Sequence, residues 1–270
     1  MKLKIGDLES TALLEKKKHQ LYLILAGLFL TNALLAEMIG VKIFSAEATI
    51  GLRPANLRLF GFDMSFSLTA GALIWPIVFV TTDLINEYFG KPGVKKISFM
   101  TAGLIAYSFL IIYLSIGLPP ADFWIEANKS DAEGNYFNID LAYNRIFGQG
   151  LRIIIGSLTA FLIGQLVDVF VFQRLRKITG QKYIWLRATG STLVSQFFDS
   201  FVVLYIAFFG IFTHAQLIAI GITNYIYKFC VAILLTPLIY LGHYLIDRYL
   251  GKENAEIITA EASEKSGTLF

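Results

Sequence analysis

Two copies of one short polar pattern lie inside long apolar stretches of the chain. Gln165 and Asp168 are three residues apart, and so are Gln196 and Asp199. At helical spacing, the carboxamide and the carboxylate of each pair project from one face of a helix. A carboxylate in membrane hydrocarbon costs at least ~2.5 to 3.5 kcal/mol, so such residues normally face a cavity or a pathway. The pattern predicts a site for a polar solute at membrane depth, as in a transporter.

The composition favours a membrane protein and leaves little room for a soluble domain. Hydrophobic residues make up 56% of the 270 residues, charged residues make up 16%, and the mean hydropathy is +0.62. An ordinary globular domain has about 25% charged residues. The net charge of +3 is spread over the loops, which argues against nucleic-acid binding. The single cysteine, Cys230, excludes a disulfide framework and a cysteine metal cluster.

Six apolar stretches have about the length needed to cross hydrocarbon. They are Leu21–Phe44, Leu68–Phe89, Val94–Leu118, Leu151–Phe172, Ala188–Phe212 and Gln216–Leu245. The sequence therefore predicts an all-α integral membrane protein with six transmembrane helices. Along the chain we expect a cytoplasmic segment over 1–19, a transporter domain over 20–248 with an external loop over 118–150, and a disordered cytoplasmic tail over 249–270.

Basic residues are concentrated in alternate connections. Lysines and arginines precede the first span, join the second to the third and the fourth to the fifth, and follow the sixth. The 118–150 loop is instead rich in aspartate and glutamate. Because positively charged loops stay in the cytoplasm, both termini are predicted to be cytoplasmic. The short turn over Leu59–Asp63 predicts a small external hairpin.

The second span ends with a polar helix face. Asp83, Asn86 and Glu87 are spaced so that their side chains share that face. Asp83 lies deep enough to favour a functional role. Glu87 is either part of the same site or the interfacial end of a helix, since Lys91 follows closely.

The first and last spans carry further polar candidates. Glu37 either binds a cation or substrate or pairs with Lys42, and Asn32 either contacts a ligand or makes a helix-packing hydrogen bond. Lys228 is a lone cation in its span and is predicted to pair with one of the buried acids. Asp168 could alternatively be paired with Arg174 or Arg176 reaching back from the membrane surface.

Small residues and prolines predict how the helices approach one another. Gly156, Ala160 and Gly164 form a stripe that permits close helix packing, either within the monomer or in a homodimer. Pro76 and Pro237 each remove a helix hydrogen bond and are expected to bend their spans, as often happens beside transporter sites.

Motifs for catalysis and cofactor binding are not recognisable in the sequence. It has no phosphate-binding glycine loop, no zinc-protease motif and no specific nucleophile–base pair. No cofactor and no metal site is therefore predicted, although His243 and Asp247 have a spacing that could share a metal. Any energising ATPase would have to be another chain.

Several motifs occur in one order along the chain. They are Thr82-Asp83 through Gly90, Gly164 through Asp168, Trp185-Leu186-Arg187 with Ser191-Thr192, Ser195 through Ser200, and Lys228 with Thr236-Pro237. Together they resemble the queuosine precursor transporter family, also described as vitamin-uptake-transporter-like, over residues 20–245. The 118–150 loop is longer than this resemblance leads us to expect.

The resemblance implies a fold, a location and a substrate class. The implied fold is like that of the substrate-binding subunits of energy-coupling-factor importers, and the implied location is the bacterial inner membrane. The implied substrates are 7-cyano-7-deazaguanine, 7-aminomethyl-7-deazaguanine, queuine or queuosine. A guanine-like edge presents N–H donors that a carboxylate accepts and a carbonyl to which a Gln amide donates. Phe197, Phe198 or Tyr205 could stack on the ring.

Three functions therefore stay open at this point. The first is an importer of a 7-deazapurine used in tRNA modification. The second is a substrate-binding subunit, for another vitamin, that needs a separate ATPase module. The third is an intramembrane enzyme with paired acids, for which no nucleophile is apparent. The candidate substrate-binding residues are Asn32, Glu37, Asp83, Glu87, Gln165, Asp168, Gln196, Asp199 and Lys228.

Overall fold

The computed structural model describes residues 5–148, 150–180 and 182–267, and side chains only within 12–265. The described chain is mainly helical. Its helices are α1 (Ile5–Ile39), α2 (Ala46–Thr49), α3 (Trp75–Ile116), α4 (Asp122–Ala127), α5 (Ile139–Phe147), α6 (Leu151–Thr179), α7 (Ile184–Phe208), α8 (His214–Leu234), α9 (Thr236–Leu250) and α10 (Lys252–Gly267). Its strands are β1 (Ile43–Ser45), β2 (Leu57–Leu59), β3 (Phe62–Met64) and β4 (Ser67–Thr69), and a 3₁₀ turn covers Ala70–Leu73.

Within the described ranges, five helical stretches are long and apolar enough to cross a membrane. They are Ala12–Ile39, Trp75–Ile116, Ile139–Thr179, Ile184–Phe208 and His214–Leu234. The protein is therefore a mainly helical, multi-pass membrane protein. The sequence predicts six spans, and the difference arises because two of them, Leu68–Phe89 and Val94–Leu118, fall within the single element α3.

The element α3 reverses direction at Gly90, so its two halves form a helical hairpin. Gly90 has φ 66° and ψ −172°, a conformation outside the helical region. The hydroxyls of Thr82 and Ser98 donate to the same oxygen, Oε1 of Gln165, over 3.3 and 3.5 Å. In a straight helix, residues 82 and 98 would be ~24 Å apart. We call Trp75–Phe89 the first limb and Lys91–Ile116 the second limb.

The two prolines that were expected to bend spans behave differently. The predicted last span divides at Leu235 into two helices, α8 and α9. Pro237 is the second residue of α9 and so lies next to this break. Pro76 is the second residue of α3. Its missing N–H falls in the first helical turn, where no intrahelical partner exists, so it begins the helix and does not bend it.

The segment between α1 and α3 contains two short antiparallel ladders. β2 and β3 form the predicted hairpin, and its turn residues Phe60 and Gly61 both have positive φ, as a two-residue hairpin turn requires. β1 pairs with β4, which the sequence did not predict. Glu47 accepts backbone N–H groups of Phe66 and Ala55 over 2.7 and 3.2 Å. These bonds join parts of the segment that are 8 and 19 residues apart in the sequence.

The stripe of small residues on α6 packs against α7 within the monomer. A Cβ atom on Gly156 would lie 3.2 Å from the carbonyl oxygen of Val203, and one on Gly164 would lie 3.7 Å from Cβ of Asp199. Glycine therefore allows the two backbones to approach closely. This confirms the alternative in which the stripe packs inside the monomer.

The C-terminal segment is helical, although the sequence predicts a disordered tail from Lys252. Ala255, Ile258 and Ala262 are buried in the helix core, and Nη2 of Arg176 donates to the carbonyl of Thr259 over 2.6 Å. Lys18 also binds Glu261 over 3.1 Å. The apolar side chains were too few to predict a helix by themselves, and packing against α3 stabilises it.

Candidate functional site

A cavity of about 530 Å³ lies among α1, α3, α6, α7, α8 and α9. Five of the predicted site residues line it: Glu37, Asp83, Gln196, Asp199 and Lys228. Small-molecule sites in proteins usually occupy ~300 to 1,000 Å³. The cavity therefore has the size and the polar groups that binding of a small polar solute requires.

An ion pair lies on the α7–α8 side of the cavity. Nζ of Lys228 binds Oδ2 of Asp199. Their side chains are 22% and 24% exposed, so the pair is accessible from the cavity and not sealed in the core. This confirms that Lys228 pairs with one of the buried acids. It places a hydrogen-bond acceptor and a cationic donor side by side on one cavity wall.

The cavity lining also includes a second carboxylate and aromatic rings. Glu37 accepts a hydrogen bond from Oγ of Ser157. Trp75 stacks on Phe79 with ring centres 6.0 Å apart and also contacts Phe161, 5.7 Å away. All three rings line the cavity. They can offer flat apolar surface to a ring-shaped ligand.

The two Gln–Asp pairs differ in their access to the cavity. Gln196 and Asp199 line both the cavity and a small recess beside it, whereas Gln165 lines only the recess. Oε1 of Gln165 accepts the two hydroxyl bonds from the limbs of α3, so this amide holds the hairpin together. Asp168 is buried behind the cavity and accepts a hydrogen bond from Oγ of Ser195 over 3.2 Å. The proposed pairing of Asp168 with Arg176 is wrong, because Arg176 binds Glu87 instead.

Glu87 lies outside the cavity in a buried charge cluster. Arg187 donates to both carboxylate oxygens of Glu87, over 3.0 and 2.7 Å, and Arg176 lies 3.4 Å away. Tyr88 donates to Asp247 over 2.6 Å and contacts Nδ1 of His243 over 3.0 Å. Among the described residues, no group of three or more His, Cys, Asp or Glu side chains could hold a metal.

The chain also resembles known proteins over most of its length. The family described as "Putative vitamin uptake transporter" matches residues 69–242. The "Probable queuosine precursor transporter" of Bacillus subtilis (strain 168) is 31% identical over 195 residues, which cover 71% of this chain and 80% of that protein. The chain belongs to the queuosine precursor transporter family.

Two further relatives carry the same family name. The "Probable queuosine precursor transporter" of Haemophilus influenzae (strain ATCC 51907 / DSM 11121 / KW20 / Rd) is 30% identical over 176 residues, 64% of this chain and 67% of that protein. The "Queuosine precursor transporter" of Escherichia coli (strain K12) is 29% identical over 173 residues, 63% of this chain and 70% of that protein. No solved structure matches the chain significantly.

Membership of the queuosine precursor transporter family makes this protein a multi-pass membrane transporter. The matched region contains the α3 hairpin and the polar residues of α6, α7 and α8. Glu37 and Asn32 precede it. Asn32 donates to the carbonyl of Leu28 over 2.7 Å within α1 and does not line the cavity. This bond lies within one helix and therefore differs from the predicted helix-packing hydrogen bond.

The aromatic residues that the sequence suggested for ligand stacking do not line the cavity. Phe197 and Phe198 are 47% and 43% exposed on the outside of α7, and neither they nor Tyr205 line the cavity. The aromatic residues that line the cavity are instead Trp75, Phe79, Phe161, Phe208 and Tyr227. Trp75 and Phe79 lie close to Pro76 in the predicted span Leu68–Phe89, which also carries Asp83, and this was the available signal.

Proposed function

We propose that this transporter imports a 7-deazaguanine precursor of queuosine. The precursor binds in the cavity that is lined by Asp199 and by the rings of Trp75, Phe79 and Phe161. The observation that carries the proposal is the Asp199–Lys228 ion pair facing the cavity. The names of the relatives, queuosine precursor transporters, supply the substrate class.

The ion pair complements the hydrogen-bonding edge of a guanine-like ring. That edge presents two adjacent N–H donors beside one carbonyl acceptor. A carboxylate can accept both N–H groups, and an ammonium group can donate to the carbonyl. Asp199 and Lys228 hold these two functions side by side. Oε1 of Gln196, which is buried without a hydrogen-bond partner, adds a further acceptor on the same helix.

The remaining walls suit the rest of such a ligand. Trp75, Phe79 and Phe161 provide apolar surface against which a heterocycle can stack. The Glu37 carboxylate also lines the cavity and can accept a hydrogen bond from the substituent at position 7. A 7-aminomethyl group is cationic and would gain a charge-assisted hydrogen bond there. A 7-cyano group would not gain this bond.

The membrane arrangement follows from the α3 hairpin and the charge distribution. The two limbs of α3 each cross the bilayer, which gives six transmembrane helices. The turn at Gly90 is followed by Lys91, Lys95 and Lys96 and therefore lies in the cytoplasm, as do both termini. With this orientation the 118–150 loop is external. The protein resides in the bacterial inner membrane.

Uptake into liposomes that contain only this protein tests the proposal. We expect labelled 7-cyano- or 7-aminomethyl-7-deazaguanine to enter these liposomes and labelled adenine to remain outside. Liposomes with the Asp199→Asn variant, inserted to the same level, are the control for transport through the site. Uptake that requires an added ATPase module would support the substrate-binding-subunit alternative. Exclusion of every deazaguanine tested would contradict the substrate assignment.

A further inference from the structure

Two carboxylates meet in the protein interior without a cation between them. Asp83, on the first limb of α3, and Asp168, on α6, are 2% and 4% exposed. Two hydrogen bonds join the first limb of α3 to α6 on either side of these residues, from Thr82 to Gln165 over 3.3 Å and from Gln173 to Asn86 over 2.7 Å. In the described part of the chain, no lysine, arginine or histidine nitrogen lies within 4.0 Å of either carboxylate.

Each of these carboxylates also has one oxygen without a hydrogen-bond partner. These atoms are Oδ1 of Asp83 and Oδ2 of Asp168. The other oxygen of Asp168 accepts the bond from Ser195. Buried polar atoms are nearly always satisfied, so two orphan acceptors in one place indicate that something is bound there.

The neighbouring charged groups are already committed to other partners. Arg187, on α7, binds Glu87 and the carbonyls of Gly180 and Lys182. Lys228, on α8, binds Asp199. His243, on α9, contacts Tyr88. Glu37, on α1, is a further acid in the cavity lining and would only add negative charge.

Two buried carboxylates cannot both remain ionised under these conditions. Desolvation disfavours each charge, and repulsion between like charges adds to that cost. One proton resolves both problems, because it removes one charge and turns one orphan acceptor into a donor. Paired aspartates that share a proton are a known solution to this arrangement.

The position of the pair connects it to the substrate cavity. Asp83 lines the cavity together with Gln196 and Asp199, whereas Asp168 lies behind it. A proton can therefore reach the pair from the cavity. Ser195 on α7 donates to Asp168 and directly precedes Gln196, which lines the cavity on the same helix as Asp199. A change at the pair is thus transmitted to the helix that carries Asp199.

We infer that Asp83 and Asp168 together hold one proton, and that this proton is carried inward with the substrate, so that the transporter is a proton symporter. The inference rests on the proposed function and extends it to the driving force. The proton binds to the pair from the outer side and is released to the cytoplasm. No covalent bond other than the carboxyl O–H forms or breaks.

Gradient-driven uptake and substrate exchange separate this role from substrate binding. In proteoliposomes containing the wild-type protein, an inside-alkaline pH gradient should drive accumulation of labelled 7-deazaguanine. Asp168→Asn should reduce that accumulation at least tenfold while preserving exchange of labelled for trapped unlabelled substrate. Asp168→Glu should restore part of the accumulation. Asp63→Asn, in the exposed β2–β3 hairpin, is the matched control and should behave as wild type.

Other outcomes of this experiment would overturn the inference. Accumulation driven by a sodium gradient and indifferent to pH would assign the site to Na⁺. If the Asp168→Asn variant loses substrate exchange as well as gradient-driven accumulation, Asp168 has a role in substrate binding or in the structure. If this variant does not insert, Asp168→Ser is measured in the same way. Full gradient-driven accumulation by both variants would exclude a coupling role.

A spectroscopic measurement does not depend on the substrate. Infrared spectra of wild-type protein carrying isotope-labelled aspartate should contain a protonated-carboxyl band that shifts in heavy water and is missing from Asp168→Asn. The absence of this band in wild type would contradict the shared proton. If wild-type protein shows the band but exchanges no deazaguanine, the proposed substrate is wrong and the proton pair stands.

Discussion

Arg187 and Glu87 form a two-pronged, fully buried ion pair between α7 and the first limb of α3. Nε of Arg187 lies 3.0 Å from Oε2 of Glu87, and Nη2 lies 2.7 Å from Oε1. The side chains are 0% and 2% exposed. Arg187 also donates to the carbonyl of Gly180 over 2.9 Å. The pair therefore joins the α3 hairpin to the α6–α7 connection, beside the cavity and on the side of the Gly90 turn.

Removal of Glu87 should destabilise the protein more than removal of a surface acid. Loss of one partner from a buried ion pair costs ~3 to 5 kcal/mol, because the remaining charge is left unpaired. Glu87→Gln should therefore lower the thermal unfolding temperature of purified protein in detergent by many degrees. Glu126→Gln breaks an exposed pair with Lys129 and should cost ~0 to 1 kcal/mol. Equal unfolding temperatures for the two variants would refute the structural importance of the buried pair.

The hairpin in α3 predicts opposite effects for two glycine substitutions. Gly90 has a φ and ψ combination that L-residues rarely adopt, so Gly90→Ala should cost ~1 to 3 kcal/mol of stability. Gly103 lies in the second limb with nothing within 4 Å of an added Cβ. Gly103→Ala should be neutral or stabilise the protein by up to ~1 kcal/mol. Thermal unfolding of both variants tests this, and a neutral Gly90→Ala would mean that the reversal does not depend on glycine.

The sequence predicted features that depend on local patterns. Apolar length predicted the membrane helices, and the lone charge of Lys228 predicted its pairing with a buried acid. The small-residue stripe predicted the close contact of α6 with α7. Each of these signals lies within about one helix, where spacing alone determines which side chains share a face.

Features that depend on distant contacts were not predictable from the sequence. Glu87 and Arg187 are 100 positions apart, and no pattern in either segment identified the partner of the other. The helix α10 packs against α3, and this distant contact stabilises it. Its own polar composition, taken alone, suggested disorder. Three of the rings that line the cavity, Trp75, Phe79 and Phe161, come from two helices whose relative rotation a single sequence does not reveal.

The proposed orientation predicts which cysteines an impermeant thiol reagent can reach. In a Cys230→Ser background, Ala132→Cys lies in the exposed part of the 118–150 loop and Glu264→Cys lies on the exposed face of α10. Ala132→Cys should react in intact spheroplasts, and Glu264→Cys should react only after lysis. The reverse pattern would invert the topology.

Neutralising Asp199 should weaken substrate binding without removing the protein from the membrane. Asp199→Asn replaces a charged acceptor by an amide and breaks the pair with Lys228. A charge-assisted hydrogen bond contributes ~1.5 to 3 kcal/mol, so the Kd should rise by about ten- to a hundredfold. Equilibrium binding of labelled substrate to purified protein measures this. An unchanged Kd, with Asp63→Asn as the reference, would remove Asp199 from the site.

Competition against uptake of labelled 7-aminomethyl-7-deazaguanine tests the central claim most directly. The assay uses a bacterium that cannot synthesise the precursor and carries only this transporter. Analogues that keep the guanine-like edge should compete, whereas adenine-like analogues leave buried groups unpaired at ~1 to 3 kcal/mol each and should bind about five- to a hundredfold more weakly. Equal competition by both classes, or uptake no higher than without the transporter although the protein is in the membrane, would contradict recognition of a 7-deazaguanine.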